Sequence, residues 1–284
     1  MTLPPLPQLD GVEHRYETVN GVRIHYAEAG AGEPLLLVHG WPQHWWMWRN
    51  QIGPLAERFR VIVPDMRGHG WSGKPRSSYS KTELLGDLLG LLDRLGIDRV
   101  RWVGHDWGAV AGLMGALGEP QRFERFVSIA IPHPWQLRSR DPRLAAISSY
   151  QLVLGGPAGG FAMRHGVVRA MLRGGRSIGR YTPEEVAMYE SVCLEPDATR
   201  ASVQLYRTWM LREVRDWASG KMRARRLTVP TLWLIGENDV LARSADDNYL
   251  RHAGDMTLVR VPGANHFMPE ELPEGVTERL LAFL

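Results

Sequence analysis

The sequence predicts an α/β protein in which a mostly parallel, doubly wound sheet is interrupted by a helical insertion. Its 284 residues, 44% hydrophobic and 23% charged, can bury a core of that size. Short runs that are apolar on both faces indicate strands buried in a parallel sheet. Helix-compatible stretches separate these runs, as right-handed strand–helix–strand crossovers require. The runs are Leu35–Val38, Val61–Val63, Val100–Val103, Phe126–Ile131, Thr231–Ile235 and Thr257–Val261.

A β-hairpin is predicted to open the chain over Tyr16–Ala27. Strand-forming residues lie on both sides of Asn20-Gly21, a pair that favours a tight hairpin turn because both positions tolerate positive φ. A helix is predicted over Thr82–Leu95, where leucines line one face and the following glycine ends the helix. Another amphipathic helix, over Gly275–Leu284, follows the last predicted strand.

The strand pattern stops at Pro132-His133-Pro134 and resumes only near Val229. The segment between them carries helical signals only. The clearest is Thr182-Pro183-Glu184-Glu185, with Thr at the N-cap, Pro at the first helical position and a Glu that can bond back to the cap. We therefore predict a core domain made of residues 1–134 and 221–284, with residues 135–220 inserted as a helical cap.

Composition argues against several classes of function. The formal net charge is only +3 and the basic residues are scattered, so nucleic-acid binding is not expected. No apolar run reaches the roughly 18 residues of a membrane span, and the Pro-rich start lacks the order of a signal peptide, so we expect a cytoplasmic protein without membrane contact. The single cysteine, Cys193, can form neither an internal disulfide nor a thiolate metal site. The sequence leaves open whether the protein forms a homodimer.

A candidate nucleophile lies in the stretch Gly104-His105-Asp106-Trp107-Gly108, between a predicted strand and a helix rich in Gly and Ala. Small residues two positions before and after Asp106 suit a strained turn that lifts the side chain clear of the sheet. A carboxylate there needs no base to activate it and can attack an sp³ carbon to form an ester. On these five residues alone, a helix cap is an equally good interpretation.

A second loop supports the nucleophile interpretation. His39-Gly40-Trp41-Pro42 ends the predicted strand at Leu35–Val38, where a backbone N–H can face the nucleophile turn. The N–H groups of Trp41 and Trp107 form the natural pair for an oxyanion hole. In a carboxylate mechanism this hole must face Asp106, because the negative charge of ester hydrolysis develops on that side chain. The alternative interpretation is an ordinary Gly-Pro loop.

A histidine and a second acid complete a candidate triad. His266 follows the last predicted strand and is the candidate base that activates water. Asp239, in Gly236-Glu237-Asn238-Asp239, follows the preceding strand and is the candidate that orients His266, with Glu237 as its competitor. No acid follows the strand at Phe126–Ile131, which favours Asp239. The chain order of nucleophile, acid and histidine fits this assignment.

Several polar and aromatic residues outside the triad also receive predictions. Asp65 and its neighbouring glycines are predicted to be structural. Four histidines that do not follow strands are predicted to lie on the surface. They are His14, His25, His165 and His252. Trp45, Trp46 and Trp48 indicate either an apolar pocket or helix core.

Together these motifs resemble the epoxide hydrolase and haloalkane dehalogenase branch of the α/β-hydrolase superfamily. The resemblance runs from about Tyr16 to the C-terminus. It implies an α/β-hydrolase fold and catalysis by Asp106, His266 and Asp239 without a metal or an organic cofactor. The motifs are His-Gly-Trp-Pro at 39–42, Gly-His-Asp-Trp-Gly at 104–108, Gly-Glu-Asn-Asp at 236–239 and Asn-His-Phe at 265–267.

For an epoxide hydrolase the resemblance further implies two cap tyrosines that hydrogen-bond the epoxide oxygen. Ser149-Tyr150-Gln151-Leu152 and Gln204-Leu205-Tyr206-Arg207 resemble the local patterns that carry them. A phenol with a pKa of about 10 can bond the opening oxygen and hand over its proton. The implied reaction converts a small hydrophobic epoxide and water into a vicinal diol, a chemistry of detoxification, with Trp41, Trp107 and both tyrosines around the substrate. The alternative for Tyr150 and Tyr206 is packing within the cap.

Two other functions fit the same motifs. A haloalkane or haloacid dehalogenase would use the same triad. However, a haloalkane dehalogenase typically has Asn at the position of Trp41, and a fluoroacetate-type enzyme is expected to have Arg at the position of Trp107. A non-catalytic member of the fold could bind a small ligand in the same pocket. The complete set of nucleophile, base and acid argues against that alternative, because a receptor has no chemical need of all three.

Overall fold

The computed structural model describes residues 3–135, 142–218, 222, 224–240 and 247–284, and a single eight-stranded sheet forms its centre. The strands are β1 (Glu13–Val19), β2 (Val22–Ala29), β3 (Glu33–Val38), β4 (Phe59–Pro64), β5 (Val100–His105), β6 (Phe123–Ile129), β7 (Thr231–Gly236) and β8 (Met256–Val261). Their order in the sheet is β1-β2-β4-β3-β5-β6-β7-β8. The β1–β2 and β2–β4 pairings are antiparallel and the others are parallel, which confirms the predicted fold class.

Helices flank the sheet and fill the connection between β6 and β7. The helices are α1 (Arg49–Ala56), α2 (Lys81–Arg94), α3 (Trp107–Gly118), α4 (Pro142–Gly155), α5 (Gly159–Arg164), α6 (Val167–Gly174), α7 (Pro183–Cys193), α8 (Pro196–Thr208), α9 (Val214–Ala218), α10 (Met268–Glu271) and α11 (Pro273–Phe283). A five-residue π-helix, Trp209–Glu213, joins α8 to α9.

Local signals in the sequence account for several of these boundaries. The hairpin between β1 and β2 turns at Asn20-Gly21, where both residues have positive φ as the sequence predicts. Thr182 caps α7 by accepting the N–H of Glu185, whose side chain bonds back to the cap. This capping box confirms the predicted helix start, because it satisfies two backbone donors that a helix otherwise leaves free.

The strands at the centre of the sheet are largely buried. Every residue of β5 and β7 is buried, as expected for parallel strands covered on both faces. Trp45 and Trp48 are also fully buried in this core. For these two residues the core interpretation is correct, and the pocket interpretation is wrong.

The connection between β6 and β7 contains the helices α4 to α9, which we call the helical insertion. The predicted boundary at residues 220 and 221 lies outside the described residues, so the division into a core domain and a cap stays a prediction. Of the helices that are described, none is both long enough and apolar enough to cross a membrane.

Candidate active site

Asp106 occupies a strained turn at the carboxyl end of β5, directly before α3. Its φ of 48° and ψ of −117° are unusual for a residue with a side chain, and they lift the carboxylate above the sheet. The turn is also tightly packed. A side chain at Gly104 would collide with the backbone of Gly108, and one at Gly108 would collide with the backbone of Val38. The two glycines of the motif are therefore required by close approach of the backbone.

The loop after β3 presents a backbone donor to Asp106. The N–H of Trp41 donates to Asp106 Oδ1 at 2.9 Å, and the N–H of Trp107 lies near enough to this carboxylate to lower its pKa. The two predicted N–H groups thus meet at the predicted side chain, in the arrangement of an oxyanion hole. The indole Nε1 of Trp41 donates to Ser202 Oγ at 3.1 Å, which ties this loop to α8.

His266 lies between the two predicted aspartates. Its Nδ1 is 3.0 Å from Asp239 Oδ2, and its Nε2 is 3.9 Å from Asp106 Oδ2. The main-chain oxygen of His266 accepts a hydrogen bond from His105 Nε2 at 2.9 Å. The structure therefore brings together all three residues of the predicted triad. The competitor Glu237 instead accepts the N–H of Gly263.

Burial and charge act in opposite directions on these two titrating groups. Burial raises the pKa of Asp106, although His266 and the N–H groups of Trp41 and Trp107 favour its ionised form. Burial would lower the pKa of His266, but the hydrogen bond and charge of Asp239, together with Asp106, outweigh it and leave the pKa above its ordinary value. Asp239 therefore stabilises the cation that His266 forms when it accepts a proton.

A cavity of about 450 Å³ opens directly above the triad. Asp106, Asp239 and His266 contribute to its wall, but most of the lining is apolar or aromatic. A pocket of this kind suits a small hydrophobic ligand that is oriented by a few polar groups. The other lining residues include Trp107, Val110, Ile131, Tyr150, Met171, Trp209, Trp217 and Phe267.

The two predicted tyrosines lie together beside this cavity. Tyr150 lines it, whereas Tyr206 is buried behind, with their rings 5.7 Å apart. Tyr206 also packs edge-on against Trp41 at 5.3 Å and Trp107 at 5.7 Å. Burial, together with the charge of Asp106, raises the pKa of Tyr150 to about 12 and that of Tyr206 well above its ordinary value. Both phenols are therefore protonated donors at neutral pH. Neither Trp41 nor Tyr206 is among the lining residues.

Known proteins resemble this chain in sequence and fold. A family model for the α/β hydrolase fold matches residues 33–161. The soluble epoxide hydrolase of Corynebacterium sp. (strain C12) is 31% identical over 282 residues, covering 96% of this chain and 97% of that relative. The chain belongs to the α/β-hydrolase family, as an epoxide hydrolase-like member.

Solved structures agree with this assignment. An epoxide hydrolase determined without ligand matches this α/β-hydrolase with a TM-score of 0.82 at 30% identity, covering 96% of this chain and 98% of that one. Epoxide hydrolase A from Mycobacterium thermoresistibile matches with a TM-score of 0.81 at 27% identity and with the same coverage. Both are similar to this α/β-hydrolase along nearly the whole chain, so the resemblance includes the helical insertion as well as the sheet.

The sequence did not indicate the aromatic wall that this α/β-hydrolase builds beside Asp106. Trp209, in the π-helix, packs 5.2 Å from Trp107, and its indole N–H donates to Gln151 Oε1 at 3.2 Å. Trp217 continues the wall 5.6 Å further on. A π-helix often marks a functional site, but no sequence pattern identifies a single extra residue in a helical turn. Trp209 and Trp217 could therefore only be found from the fold.

A buried lysine behind the aromatic wall was also missed. Lys81 Nζ donates to Leu205 O at 3.1 Å, pairs with Glu213 at 3.1 Å and lies 4.2 Å above the ring of Trp107. Burial lowers its pKa to about 8, against the opposing charges of Glu213 and Asp106. Leu205 and Glu213 follow it by more than a hundred residues, and only the fold brings them close.

Nowhere in the described part of the chain do three or more His, Cys, Asp or Glu side chains group as a metal site requires.

Proposed function

We propose that this α/β-hydrolase converts a hydrophobic epoxide and water into a vicinal diol through an ester on Asp106. One observation carries the proposal: the carboxylate of Asp106, the imidazole of His266 and the phenol of Tyr150 all line one cavity. A nucleophile, a base and a proton donor are the three groups that opening an epoxide and hydrolysing the resulting ester require. The helical insertion then acts as a cap, since it supplies the phenol.

In the first step, Asp106 Oδ2 attacks a ring carbon while Oδ1 stays on the N–H of Trp41. The ring C–O bond breaks, and its electron pair goes to the epoxide oxygen. That oxygen takes a proton from Tyr150, which Tyr206 supports from behind. The products of the step are a hydroxyalkyl ester of Asp106 and a phenolate, so the charge moves from the carboxylate to the tyrosine.

In the second step, His266 Nε2 removes a proton from water, and the resulting hydroxide attacks the carbonyl carbon of the ester. Asp239 stabilises the imidazolium through the contact at Nδ1. Negative charge develops on Oδ1, where the N–H groups of Trp41 and Trp107 bind it. Collapse breaks the bond between the carbonyl carbon and the old Oδ2, and the departing alkoxide takes the proton of the newly added hydroxyl. This releases the diol and restores the Asp106 carboxylate, and the proton held by His266 returns to the phenolate. No metal or organic cofactor enters this scheme.

The cavity favours an apolar substituent on the epoxide. Trp107, Trp209, Trp217 and Phe267 contribute aromatic faces to the lining. Burying an aryl or branched alkyl group there gains about 25 cal/mol per Å² of apolar area. Halide chemistry receives less support, because the indole N–H of Trp41 is bound to Ser202 and does not face the cavity. A dehalogenase would use such a donor for the departing halide.

The test is a single-turnover reaction with an aryl epoxide in water enriched in the heavy oxygen isotope. The scheme expects the first diol to carry ordinary oxygen from Asp106, and the heavy isotope to appear in the peptide that contains Asp106. His266→Gln should accumulate a protein whose mass has increased by that of the epoxide, because the ester forms but is not hydrolysed. Asp106→Asn is the matched control and should form no adduct.

Three outcomes would contradict the proposal. Heavy oxygen in the first diol would mean that water attacks the ring directly. Halide release from chloroalkanes or bromoalkanes without any epoxide turnover would identify a dehalogenase. Binding of epoxides without adduct or turnover in any variant would identify a non-catalytic ligand-binding protein.

A further inference from the structure

A buried carboxylate without a role in the scheme above lies five residues after His266. Glu271, in α10, is only 6% exposed. Its Oε2 accepts the N–H of Asn265 at 2.7 Å, and its Oε1 accepts the N–H of Ser177 as well as that of Ile178 at 3.1 Å. One carboxylate therefore bonds the loop that carries the histidine and, at the same time, the segment after α6 of the helical insertion.

The same loop is joined to the insertion at two further points. Asn265 Nδ2 donates to Gly174 O at 3.4 Å, and the N–H of Phe267 donates to Gly175 O at 3.1 Å. Asn265 also reaches the histidine itself, because its Oδ1 accepts the N–H of His266 at 2.9 Å. The hydrogen bonds thus form a continuous path from the insertion through Glu271 and Asn265 to the backbone of His266.

The charge of Glu271 distinguishes it from the neighbouring Glu270. Glu270 is paired with Arg49 and accepts hydrogen bonds from Tyr181 and Tyr189. In the described part of the chain, no cationic side chain pairs with Glu271, which is held by backbone N–H groups. The negative charge of Glu271 therefore acts on the imidazole of His266, in the same direction as Asp239 and Asp106, and helps to keep its pKa above the ordinary value.

We propose that Glu271 is a positioning residue that ties the His266 loop to the helical insertion, so that the base is aligned for ester hydrolysis. This inference rests on the proposed function, since it assigns His266 the second step. It predicts an effect on that step alone, because attack by Asp106 on the epoxide needs no base. A base that is misaligned by a fraction of an ångström loses part of the factor of about 100 to 10,000 that general-base catalysis contributes.

The experiment compares Glu271→Gln with Glu270→Gln and the unaltered protein, using rapid quenching with an aryl epoxide. In Glu271→Gln the ester should persist about 10-fold longer, while the rate of ester formation changes less than about two-fold. Glu270→Gln is the matched control because it weakens the same junction but removes a charge that Arg49 balances. We expect it to lower the melting temperature and to leave the ratio of the two rates unchanged.

The pH profile separates positioning from a general loss of stability. The charged or titratable groups that face His266 are Asp106, Asp239, Glu271 and His105, whose own pKa burial holds well below 6.5. Arg176, from the insertion, faces Tyr181 and the main chain of Glu270 instead. Removing the charge of Glu271 should therefore lower the pKa of His266 and shift the acid limb of the pH–rate profile of ester hydrolysis to lower pH. Glu271→Asp keeps the charge, so the limb should stay while the rate falls.

Two results would overturn the inference. The first is an ester lifetime and an acid limb in Glu271→Gln that both equal those of the unaltered protein. The second is an unchanged pKa of His266 in an NMR titration of Glu271→Gln, a measurement that needs no substrate and stays valid if the proposed function fails. If Glu271→Gln does not fold, Asn265→Ala breaks the same path next to the histidine and should lengthen the ester lifetime in the same way.

Discussion

The histidine–aspartate pairs His25–Asp65 and His266–Asp239 have similar chemistry but different surroundings. His25 Nδ1 is 2.7 Å from Asp65 Oδ2, and both side chains are completely buried. His266 Nδ1 is 3.0 Å from Asp239 Oδ2, but the histidine is 19% exposed. The contact between imidazole and carboxylate alone therefore does not identify a catalytic pair. The second ring nitrogen and its surroundings make the difference.

The pair formed by Asp65 and His25 is closed. The two oxygens of Asp65 also accept the N–H groups of Trp45 and Trp71, each at 2.9 Å. His25 Nε2 is 3.1 Å from His14 Nδ1. The pair joins the hairpin to the loops after β3 and β4 and is not part of the cavity lining, so its effect is to hold these loops in place.

The pair formed by Asp239 and His266 is open at its other end. His266 Nε2 faces Asp106 Oδ2 at 3.9 Å across the floor of the cavity. That separation places the imidazole close enough to act on a water molecule beside an ester of Asp106. A base works only where a reactant can reach it, and exposure to the cavity meets that condition here.

The strongest way to break the comparison is to remove each histidine. We expect His266→Gln to lower steady-state diol formation by about 1,000-fold or more, because the ester then lacks its base, with little change in stability at about pH 8. We expect His25→Gln to lower the free energy of unfolding by about 2 kcal/mol, because it leaves Asp65 short of a buried donor, while kcat changes less than about three-fold. Steady-state kinetics and urea titrations measure both. Equal losses of turnover in both variants would remove the distinction.

Replacing the two aspartates sharpens the comparison at the other end of each pair. Asp239→Asn should lower turnover by about 100-fold or more, since the imidazolium loses its stabilising charge and its ring orientation. Asp65→Asn should lower the free energy of unfolding by about 3 kcal/mol, because an amide cannot accept from all the donors that converge on this site. Differential scanning calorimetry with kinetics on the folded fraction separates the two effects. Full activity in Asp239→Asn would contradict the assignment of Asp239 and would favour Glu237 as the acid that assists His266.

The sequence predicted the open pair better than the closed one. Asp106, His266 and Asp239 follow β5, β8 and β7, and the carboxyl ends of parallel strands meet at one edge of the sheet, so strand order alone brings them together. The surface location predicted for His25 is wrong. Its partner Asp65 is 40 residues away, and burial of β2 against that loop is a property of the fold that no local pattern records.

Residues of the helical insertion were harder to predict for the same reason. Tyr150 and Tyr206 were found through a resemblance of short local patterns, not through any spacing that would place them over the triad. Trp209 in the π-helix and Trp217 in α9 carry no such pattern. Packing, and not helical periodicity, decides which of their faces lines the cavity.

The two pairs should also respond to pH in opposite directions. The pKa of His266 is raised in the folded protein, so its protonation adds stability below about pH 6.5 that is lost as the pH rises through the folded value. The pKa of Asp65 is lowered by the charge and hydrogen bond of His25, in spite of its burial, so its stability is present above about pH 4 and lost under more acidic conditions.

Unfolding curves across the pH range test this contrast. The stability difference between the unaltered protein and His266→Gln should shrink as the pH rises from about 6 to 8. The difference for Asp65→Asn should be constant over that range and shrink below about pH 4. A difference for His266→Gln that grows toward alkaline pH would show that Asp239 and Asp106 do not outweigh the burial of the imidazole.

The smallest change in the free energy of unfolding is expected at His14, which contacts His25 of the closed pair. Burial, together with the charge of His25, lowers the pKa of His14, so the folded protein binds a proton there less readily than the unfolded chain does. Acidification through about pH 6 therefore costs stability at His14, and His14→Gln removes that cost. The variant should be less stable than the unaltered protein by under about 1 kcal/mol at about pH 8 and should regain the difference at about pH 5. Urea titrations at the two pH values measure this difference, with turnover as the control. A variant that instead loses stability relative to the unaltered protein in acid would mean that the folded protein stabilises His14 as the cation.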